Sequence, residues 1–336
     1  MTAPLPDALR QALAATRAGD PAEATRLIQQ ALGGAAPPPS PVQPRPEPKP
    51  RRRPFARVKP RRVPLADGAS WERRDHAGPE GARPWRLMRP AGVVSGVLVM
   101  LHGCRQDPED FARGTAMNLA AAAHGLAVAW PEQPAAANPS RCWNWFVPAH
   151  QGAGGEPAIL AAIARAAMAE TGARRAGVAG LSAGAAMAAT LVRHHPGTFR
   201  AAALHSGLAP EAARDVPSAF AAMRDGPGTV RAGAPVPALV IHGEADATVH
   251  PANAQALVRS LGADPAGGVV ERATEGGRDV ERRRTGTVEW WRVAGLGHAW
   301  SGGSTTGRFA DPAGPDASDA IARFMARHLA GGDRQP

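Results

Sequence analysis

The sequence predicts an α/β fold, with a mainly parallel sheet and helices on both of its faces. Short apolar runs, each long enough for one buried strand, alternate along the 336 residues with stretches of helical periodicity. This alternation is typical of strand-helix-strand units. The roughly 270 residues after position 62 are enough for a single well-buried core. The predicted strands cover residues 96–101, 126–130, 176–179, 201–205, 238–241 and 288–293.

Helical stretches lie between and after these strands. Residues 156–170 and 183–195 have apolar side chains at helical spacing. Pro196 follows the second stretch directly, and proline cannot continue a helix. Residues 316–329 are predicted to form the closing helix, because their apolar side chains recur on one face.

The first 62 residues depart from this pattern. Residues 1–33 have the periodicity of two short helices, which we predict to form a helical hairpin. Residues 34–62 contain ten prolines and few core-forming side chains, so a disordered, extended linker is expected there. The α/β domain then covers residues 63–331, and residues 332–336 form a tail.

The linker carries most of the positive charge of the chain. It holds nine arginines and lysines against one glutamate, a net charge of +8, whereas the whole protein has +10. Such a tether attracts polyanions and would allow contact with an anionic surface or granule, although it is also typical of a solvated spacer. Its single aromatic residue, Phe55, argues against a site that stacks nucleic-acid bases, so no specific nucleic-acid partner is expected.

Residues 180–184, Gly-Leu-Ser-Ala-Gly, have the pattern G-x-S-x-G. They follow a predicted strand and open a predicted helix, and in that context the pattern forms a sharp turn that exposes the serine hydroxyl. Taken alone the pattern is weak, because a serine between glycines is often only a turn residue. Ser182 is therefore a candidate nucleophile that needs partners.

Two partners follow in the right order. Asp246 comes just after the predicted strand 238–241, and His298 follows the strand 288–293. A serine hydroxyl needs an imidazole base within reach, and a carboxylate orients that imidazole and stabilises its charged form. The chain order Ser182, Asp246, His298 is that of the α/β-hydrolase triad, so we predict that fold and a serine hydrolase.

An oxyanion hole is expected from two backbone N–H groups. In this fold one donor belongs to the residue after the nucleophile, which is Ala183, and the other lies in the loop after an early strand. That loop begins with His102, Gly103 and Cys104, and we assign the second donor to Cys104. The alternative is that His102 and Gly103 form only a tight turn.

Five stretches carry a family resemblance. They are Leu-His-Gly-Cys-Arg-Gln at 101–106, Trp-Pro-Glu-Gln at 130–133, Arg-Cys-Trp-Asn-Trp-Phe at 141–146, the serine motif at 180–184, and Gly-His-Ala-Trp-Ser-Gly-Gly at 297–303. Together they resemble the poly(3-hydroxybutyrate) depolymerase family of esterases, relatives of feruloyl and acetyl-xylan esterases. The resemblance spans residues 63–329 and implies a serine esterase for poly- or oligo-3-hydroxybutyrate. A feruloyl or acetyl-xylan type esterase, or a non-catalytic granule-binding protein, is the alternative.

The aromatic stretch at 141–146 indicates a substrate pocket. Aromatic faces bind flat or apolar groups well, so we expect at least one of Trp143, Trp145 and Phe146 to line it while the rest pack in the core. Trp300, close to the predicted base, either forms another wall or covers the histidine loop. The predicted pocket residues are His102, Trp143, Asn144, Trp145, Phe146 and Trp300.

The only two cysteines, Cys104 and Cys142, lie in two of the motifs that carry the resemblance. A disulfide between them would fix the oxyanion loop to the aromatic loop, but it requires an oxidising compartment or protected burial. Two buried thiols are the alternative. Because no C-x-x-C spacing occurs, no zinc site is expected, and no cofactor is predicted.

The amino-terminal residues lack a basic start followed by an apolar run, so no secretion signal is predicted. No run of about 18–20 apolar residues occurs, so no membrane span is predicted either. We therefore expect a cytoplasmic protein. An extracellular location, frequent in the resembled family, is the alternative.

Overall fold

A computed structural model describes residues 62–228 and 230–330 of the chain. The predicted hairpin at 1–33, nearly all of the predicted linker at 34–62 and the tail at 332–336 lie outside the described residues. These three predictions therefore stay predictions.

The described residues form a ten-stranded sheet with the order β1-β2-β4-β3-β5-β6-β7-β10-β9-β8. Neighbouring strands from β4 to β10 run parallel, whereas β1, β2, β8 and β9 pair antiparallel at the two sides. The strands are β1 (Ser70–Gly78), β2 (Gly81–Arg89), β3 (Gly96–Leu101), β4 (Leu126–Pro131), β5 (Ala176–Leu181), β6 (Phe199–His205), β7 (Ala238–Gly243), β8 (Val269–Glu275), β9 (Arg278–Thr285) and β10 (Val288–Val293). Two short strands, β11 (Trp300–Ser301) and β12 (Ala310–Asp311), pair separately.

The six predicted strands are confirmed as the parallel centre of the sheet. Every residue is buried in β3, β4, β5 and β7, because helices cover both faces of the sheet. A continuous apolar run places apolar side chains on both of these faces. Along β3, Val97 and Val99 belong to one hydrophobic cluster and Leu98 and Met100 to the other. Alternate side chains of this strand therefore pack in two cores, one on each face of the sheet.

The described helices are α1 (Pro108–Thr115), α2 (Met117–Ala123), α3 (Glu156–Thr171), α4 (Ala183–His194), α5 (Val216–Asp225), α6 (Ala252–Ser260) and α7 (Ala317–Leu329). The predicted helices at 156–170, 183–195 and 316–329 correspond to α3, α4 and α7, with ends that shift by one residue. Side chains of α3 and α4 lie in one core, and those of α1, α2 and α7 lie in the other. The predicted α/β fold with helices on both faces is confirmed.

Within the described part of the chain, no helix is long and apolar enough to cross a membrane. The same residues contain no group of three or more His, Cys, Asp or Glu side chains that could hold a metal ion.

Candidate active site

Ser182 lies on the sharp turn between β5 and α4, with φ 58° and ψ −120°. Its N–H donates to the carbonyl oxygen of His205 on the neighbouring strand at 2.9 Å. The two flanking glycines are required by close contacts: a Cβ on Gly180 would lie 2.4 Å from the carbonyl carbon of Gly184, and a Cβ on Gly184 would lie 2.0 Å from the oxygen of Leu101. The sequence pattern therefore corresponds to a strained turn that only small neighbours permit.

An imidazole and a carboxylate are joined at the same edge of the sheet. The Nδ1 atom of His298 lies 2.8 Å from Oδ2 of Asp246. The other carboxylate oxygen, Oδ1, accepts from the N–H groups of Thr248 at 2.9 Å and Val249 at 2.8 Å. An ionised carboxylate can only accept, so Nδ1 carries the proton and Nε2 is left with a lone pair that can take one.

The Asp246 carboxylate stays ionised although it is buried. Burial alone would raise its pKa, but hydrogen bonds from His242 and His298 outweigh burial, and the pKa lies below its usual value. The Nε2 atom of His242 lies 3.4 Å from Oδ2 of Asp246 and 2.8 Å from the carbonyl oxygen of Val249. The ionised Asp246 carboxylate therefore lies directly behind the His298 imidazole.

A cavity of about 500 Å³ is lined by both Ser182 and His298. Two of the predicted pocket residues, Trp145 and Phe146, also line it, with their rings edge to face at 5.5 Å between centroids. Both aromatic side chains therefore lie where the sequence analysis expects a substrate pocket. The structure brings the candidate nucleophile, the candidate base and an aromatic wall to one cavity.

The loop with Cys104 borders the same cavity. A disulfide joins Cys104 to Cys142, with 4.2 Å between their Cα atoms, so the two loops are covalently linked. Gly103 donates its N–H to Oε1 of Gln106 at 3.0 Å, and this buried amide donates in turn to Asp110 at 3.0 Å. Among the described residues, neither the N–H of Cys104 nor that of Ala183 has a hydrogen-bond acceptor, so both are available to a ligand.

Residues 87–281 match the family model described as "Esterase PHB depolymerase". The chain belongs to this family. The predicted resemblance is therefore confirmed, and the family's description as an esterase supports the predicted enzyme class.

One curated relative of this chain is poly(3-hydroxyalkanoate) depolymerase C of Paucimonas lemoignei, 29% identical over 249 residues. The alignment covers 65% of this chain and 59% of the relative, so the chain spans somewhat over half of the relative's length. Among solved structures, the acetyl xylan esterase from Aspergillus awamori matches with a TM-score of 0.57 and 18% identity. That match covers 68% of this chain and 94% of the other, and it shows the shared fold.

Four predicted pocket residues do not line this cavity, and two of them support the loop that carries Cys104 instead. His102 is buried: its Nδ1 donates to the oxygen of Gly103 at 2.8 Å, and its Nε2 accepts from the N–H of Gln133 at 3.1 Å. Burial lowers the pKa of His102 to about 4, so the ring is neutral. Trp143 is fully buried and donates from Nε1 to the oxygen of His102 at 3.1 Å.

Asn144 and Trp300 also lie outside the lining of the cavity, contrary to the prediction. Asn144 donates from its backbone N–H and from Nδ2 to the buried carboxylate of Glu156, at 2.8 and 2.7 Å, and this holds the aromatic loop. The ring of Trp300 stacks on His205 with 5.0 Å between centroids, and its Nε1 donates to Ser318 at 2.9 Å. Trp300 is thus buried in the core and forms no wall of this cavity.

Sequence reasoning missed a second wall of the cavity. Val216, Ala219, Phe220 and Met223 from α5, together with Phe309, line it. The sequence signal was available but weak: Asp215 and Ser218 form a capping box that begins a short helix, and its apolar residues recur three and four positions apart. Val216 and Phe220 are 52% and 64% exposed, which makes this wall the apolar rim of the site.

Proposed function

We propose that this esterase hydrolyses short-chain hydroxyalkanoate esters of the poly- or oligo-3-hydroxybutyrate type through a covalent acyl-enzyme. The observation that carries the mechanism is the His298–Asp246 hydrogen bond beside a cavity that also contains Ser182. The polyester substrate is supported by the family and by the named activity of the Paucimonas lemoignei relative.

In the acylation step, the hydroxyl oxygen of Ser182 attacks the ester carbonyl carbon while Nε2 of His298 takes the hydroxyl proton. Asp246 stabilises the imidazolium through its hydrogen bond to Nδ1. The tetrahedral intermediate collapses, the bond between the carbonyl carbon and the alcohol oxygen breaks, and His298 returns the proton to the departing alcohol. The acyl group is then held as an ester of Ser182.

Deacylation repeats this sequence with water as the nucleophile. His298 takes a proton from water, the resulting hydroxide attacks the acyl carbon, and the proton passes to Ser182 as the acid leaves. In both steps the negative oxygen is stabilised by the N–H groups of Cys104 and Ala183. Each donor aimed at such an oxygen is worth about 10²–10³ in rate.

The chemistry of the cavity supports an apolar acyl group of modest size. Aromatic side chains from the loop that follows Cys142 and apolar side chains from α5 surround Ser182. The exposed rim formed by Val216, Phe220 and Phe309 would contact a polyester chain outside the cavity.

The competing substrate is an aromatic ester, because Trp145 and Phe146 could stack on a feruloyl ring. Turnover of 3-hydroxybutyrate oligomers measured beside methyl ferulate separates the two. We expect the oligomers to be preferred, and a clear preference for methyl ferulate would move the assignment to the feruloyl type.

We further propose that the basic linker contacts an anionic surface. The support is its net charge of +8 over residues 34–62. Binding of the full chain to anionic vesicles or purified granules should fall steeply as salt rises, and salt-independent binding would contradict an electrostatic contact. Cellular location stays a prediction: the sequence suggests cytoplasm, whereas the Cys104–Cys142 disulfide is more typical of an oxidising compartment.

The nucleophile is tested with p-nitrophenyl butyrate. Ser182→Ala should lower kcat by about 10⁶, since the three groups act as a unit. The thermal unfolding midpoint of the variant serves as the control, and it should stay close to that of the unsubstituted chain. A folded Ser182→Ala variant that keeps substantial turnover would overturn the assignment of Ser182 as the nucleophile.

A further inference from the structure

The cavity around Ser182 has an unusual charge composition. Among the described residues that line it, none is aspartate or glutamate, and the only side chain with a permanent charge is Arg105. The arginine directly follows Cys104, whose N–H we assign to the oxyanion hole. Arg105 is thus the one fixed cation among the described lining residues, whereas the carboxylate of Asp246 lies behind His298 and does not line the cavity.

Arg105 is not neutralised by a neighbour. Its nearest acidic residue along the chain, Asp107, is already used: one oxygen lies 3.3 Å from Arg141, and the other accepts from the N–H of Asp110 at the start of α1 at 2.8 Å. Arg105 is exposed and forms no ion pair with any carboxylate in the described part of the chain. Its guanidinium donors are therefore available to a ligand.

The backbone at Arg105 is left-handed, with φ 63°. Its N–H donates to the oxygen of Ser140 at 2.7 Å, and the disulfide of Cys104 fixes the adjacent residue. Glycine would adopt this left-handed conformation at lower free-energy cost. The position nevertheless holds arginine, a residue with a large charged side chain. Such outliers cluster at functional sites, and here the outlier carries the one fixed charge of the cavity.

Polar groups accompany this cation in the lining. Ser140 and Asn138 both line the cavity, and Oδ1 of Asn138 accepts from the N–H of Ser140 at 2.9 Å. The remaining lining is mostly apolar, including Phe146, Phe220 and Leu181. The cavity therefore combines an apolar surface for an acyl chain with one cationic, hydrogen-bonding patch.

We propose that Arg105 binds a free carboxylate of the substrate, so that the preferred substrates are ester acids rather than neutral esters. A guanidinium binds a carboxylate through two parallel, charge-assisted hydrogen bonds. This assignment rests on the proposed function and deepens it, because every 3-hydroxybutyrate oligomer ends in a carboxylate. It makes the enzyme selective for short oligomers and chain ends over the interior of a polymer.

The test compares two substrates that differ only in charge. The 3-hydroxybutyrate dimer carries a free carboxylate, and its terminal primary amide is neutral and nearly the same shape. We expect kcat/KM to be about tenfold higher for the acid, the scale of a hydrogen-bonded charge pair. In Arg105→Gly, kcat/KM for the acid should fall about tenfold, whereas kcat/KM for the amide should change less than about twofold. Glycine also adopts the left-handed backbone conformation at this position without strain. Arg105→Lys should keep part of the preference.

A matched control removes a positive charge elsewhere. Arg200 is exposed at the amino end of β6, away from the carboxyl ends of the strands where Ser182 lies. Arg200→Gln should leave the ratio between acid and amide unchanged. Equal rates for acid and amide in the unsubstituted enzyme, or equal losses for both in Arg105→Gly, would overturn the role of Arg105.

A second substrate pair separates this proposal from the hydroxybutyrate assignment. In 3-acetoxypropanoate and 3-acetoxypropanamide the scissile ester is an acetate, and only the first carries a carboxylate. If hydroxybutyrate esters are not turned over, the proposed substrate is wrong. The role of Arg105 is then decided by this pair: a preference for 3-acetoxypropanoate that is lost in Arg105→Gly supports it, and no preference contradicts it.

Discussion

The two walls of the active-site cavity are built in different ways. One wall, the loops that carry Cys104 and residues 142–146, is joined by a disulfide and held from below by buried Gln106, Gln133 and Glu156. The other wall is α5, in which only Ala219 and Ala222 are buried. The first wall presents the proposed oxyanion donor and Arg105, and the second presents exposed apolar side chains. The cross-linked wall thus carries the proposed oxyanion donor and the proposed carboxylate-binding arginine, whereas the exposed wall offers only apolar side chains and few buried contacts.

The largest expected effect comes from the buried carboxylate under the rigid wall. Glu156→Ala removes the buried carboxylate that accepts from Asn144, Gln133 and Arg83, so the free energy of unfolding should fall by about 3–5 kcal/mol. Glu170→Ala on the same helix, which breaks a partly exposed ion pair with Arg74, should cost less than about 1 kcal/mol. Chemical denaturation measures both, and equal losses would contradict the contrast.

Next is the disulfide. Replacing both Cys104 and Cys142 by alanine opens a 38-residue connection and should lower the free energy of unfolding by about 2–4 kcal/mol. Because the oxyanion loop loses its link, kcat for p-nitrophenyl butyrate should fall as well. Addition of a reductant to the unsubstituted enzyme is the matched comparison. Unchanged activity after complete reduction would show that the link does not position the loop.

A third effect is the pH dependence of stability that His102 introduces. Burial lowers its folded pKa to about 4, below the unfolded value of about 6.5, so the unfolded chain binds more protons in this window. Its contribution is complete above about pH 6.5 and is lost as pH falls toward 4, on the order of 3 kcal/mol. His102→Gln should flatten the fall of the unfolding midpoint between pH 6.5 and 4.5, and an unchanged slope would exclude His102 as its source.

The smallest effect on stability is expected on the exposed wall. Phe220 is 64% exposed, so Phe220→Ala should change the free energy of unfolding by less than about 0.5 kcal/mol. Turnover of a suspended polyester should fall several-fold, while turnover of p-nitrophenyl butyrate should stay within about twofold. Phe111→Ala, in the buried core, is the contrasting variant and should cost about 3–5 kcal/mol. A large loss of stability in Phe220→Ala would mean that α5 is not a loosely held wall.

The contrast between buried and exposed parts of the molecule also explains which elements could be predicted from the sequence. The parallel strands were predictable because burial on both faces demands continuous apolar runs, as in β3 and β7. The strands β8 and β9 were missed because they are rich in charged residues and lack an apolar run. Ion pairs between the two strands, such as Arg282 with Glu275, contribute to their pairing instead.

Within the site, motif spacing predicted Ser182, Asp246 and His298 as a set, since each lies in the turn or loop after a predictable strand. Spacing did not separate Trp145, which lines the cavity, from Trp143, which lies beneath it. In an irregular loop no period of two or 3.6 links position to direction, so the ring that lines the cavity cannot be chosen from the sequence. The α5 wall was missed because a short, half-exposed helix has only a weak apolar pattern.

The central claim is that hydrolysis passes through an ester of Ser182, and its most direct test is the mass of the protein during turnover. Rapid acid quenching with p-nitrophenyl butyrate should give a population heavier by one butyryl group, and peptide mapping should place that group on Ser182. The adduct should accumulate in His298→Ala if deacylation is slowed more than acylation, and it should be absent in Ser182→Ala. Steady turnover with the acyl group on another residue, or an undiminished adduct in Ser182→Ala, would contradict the account.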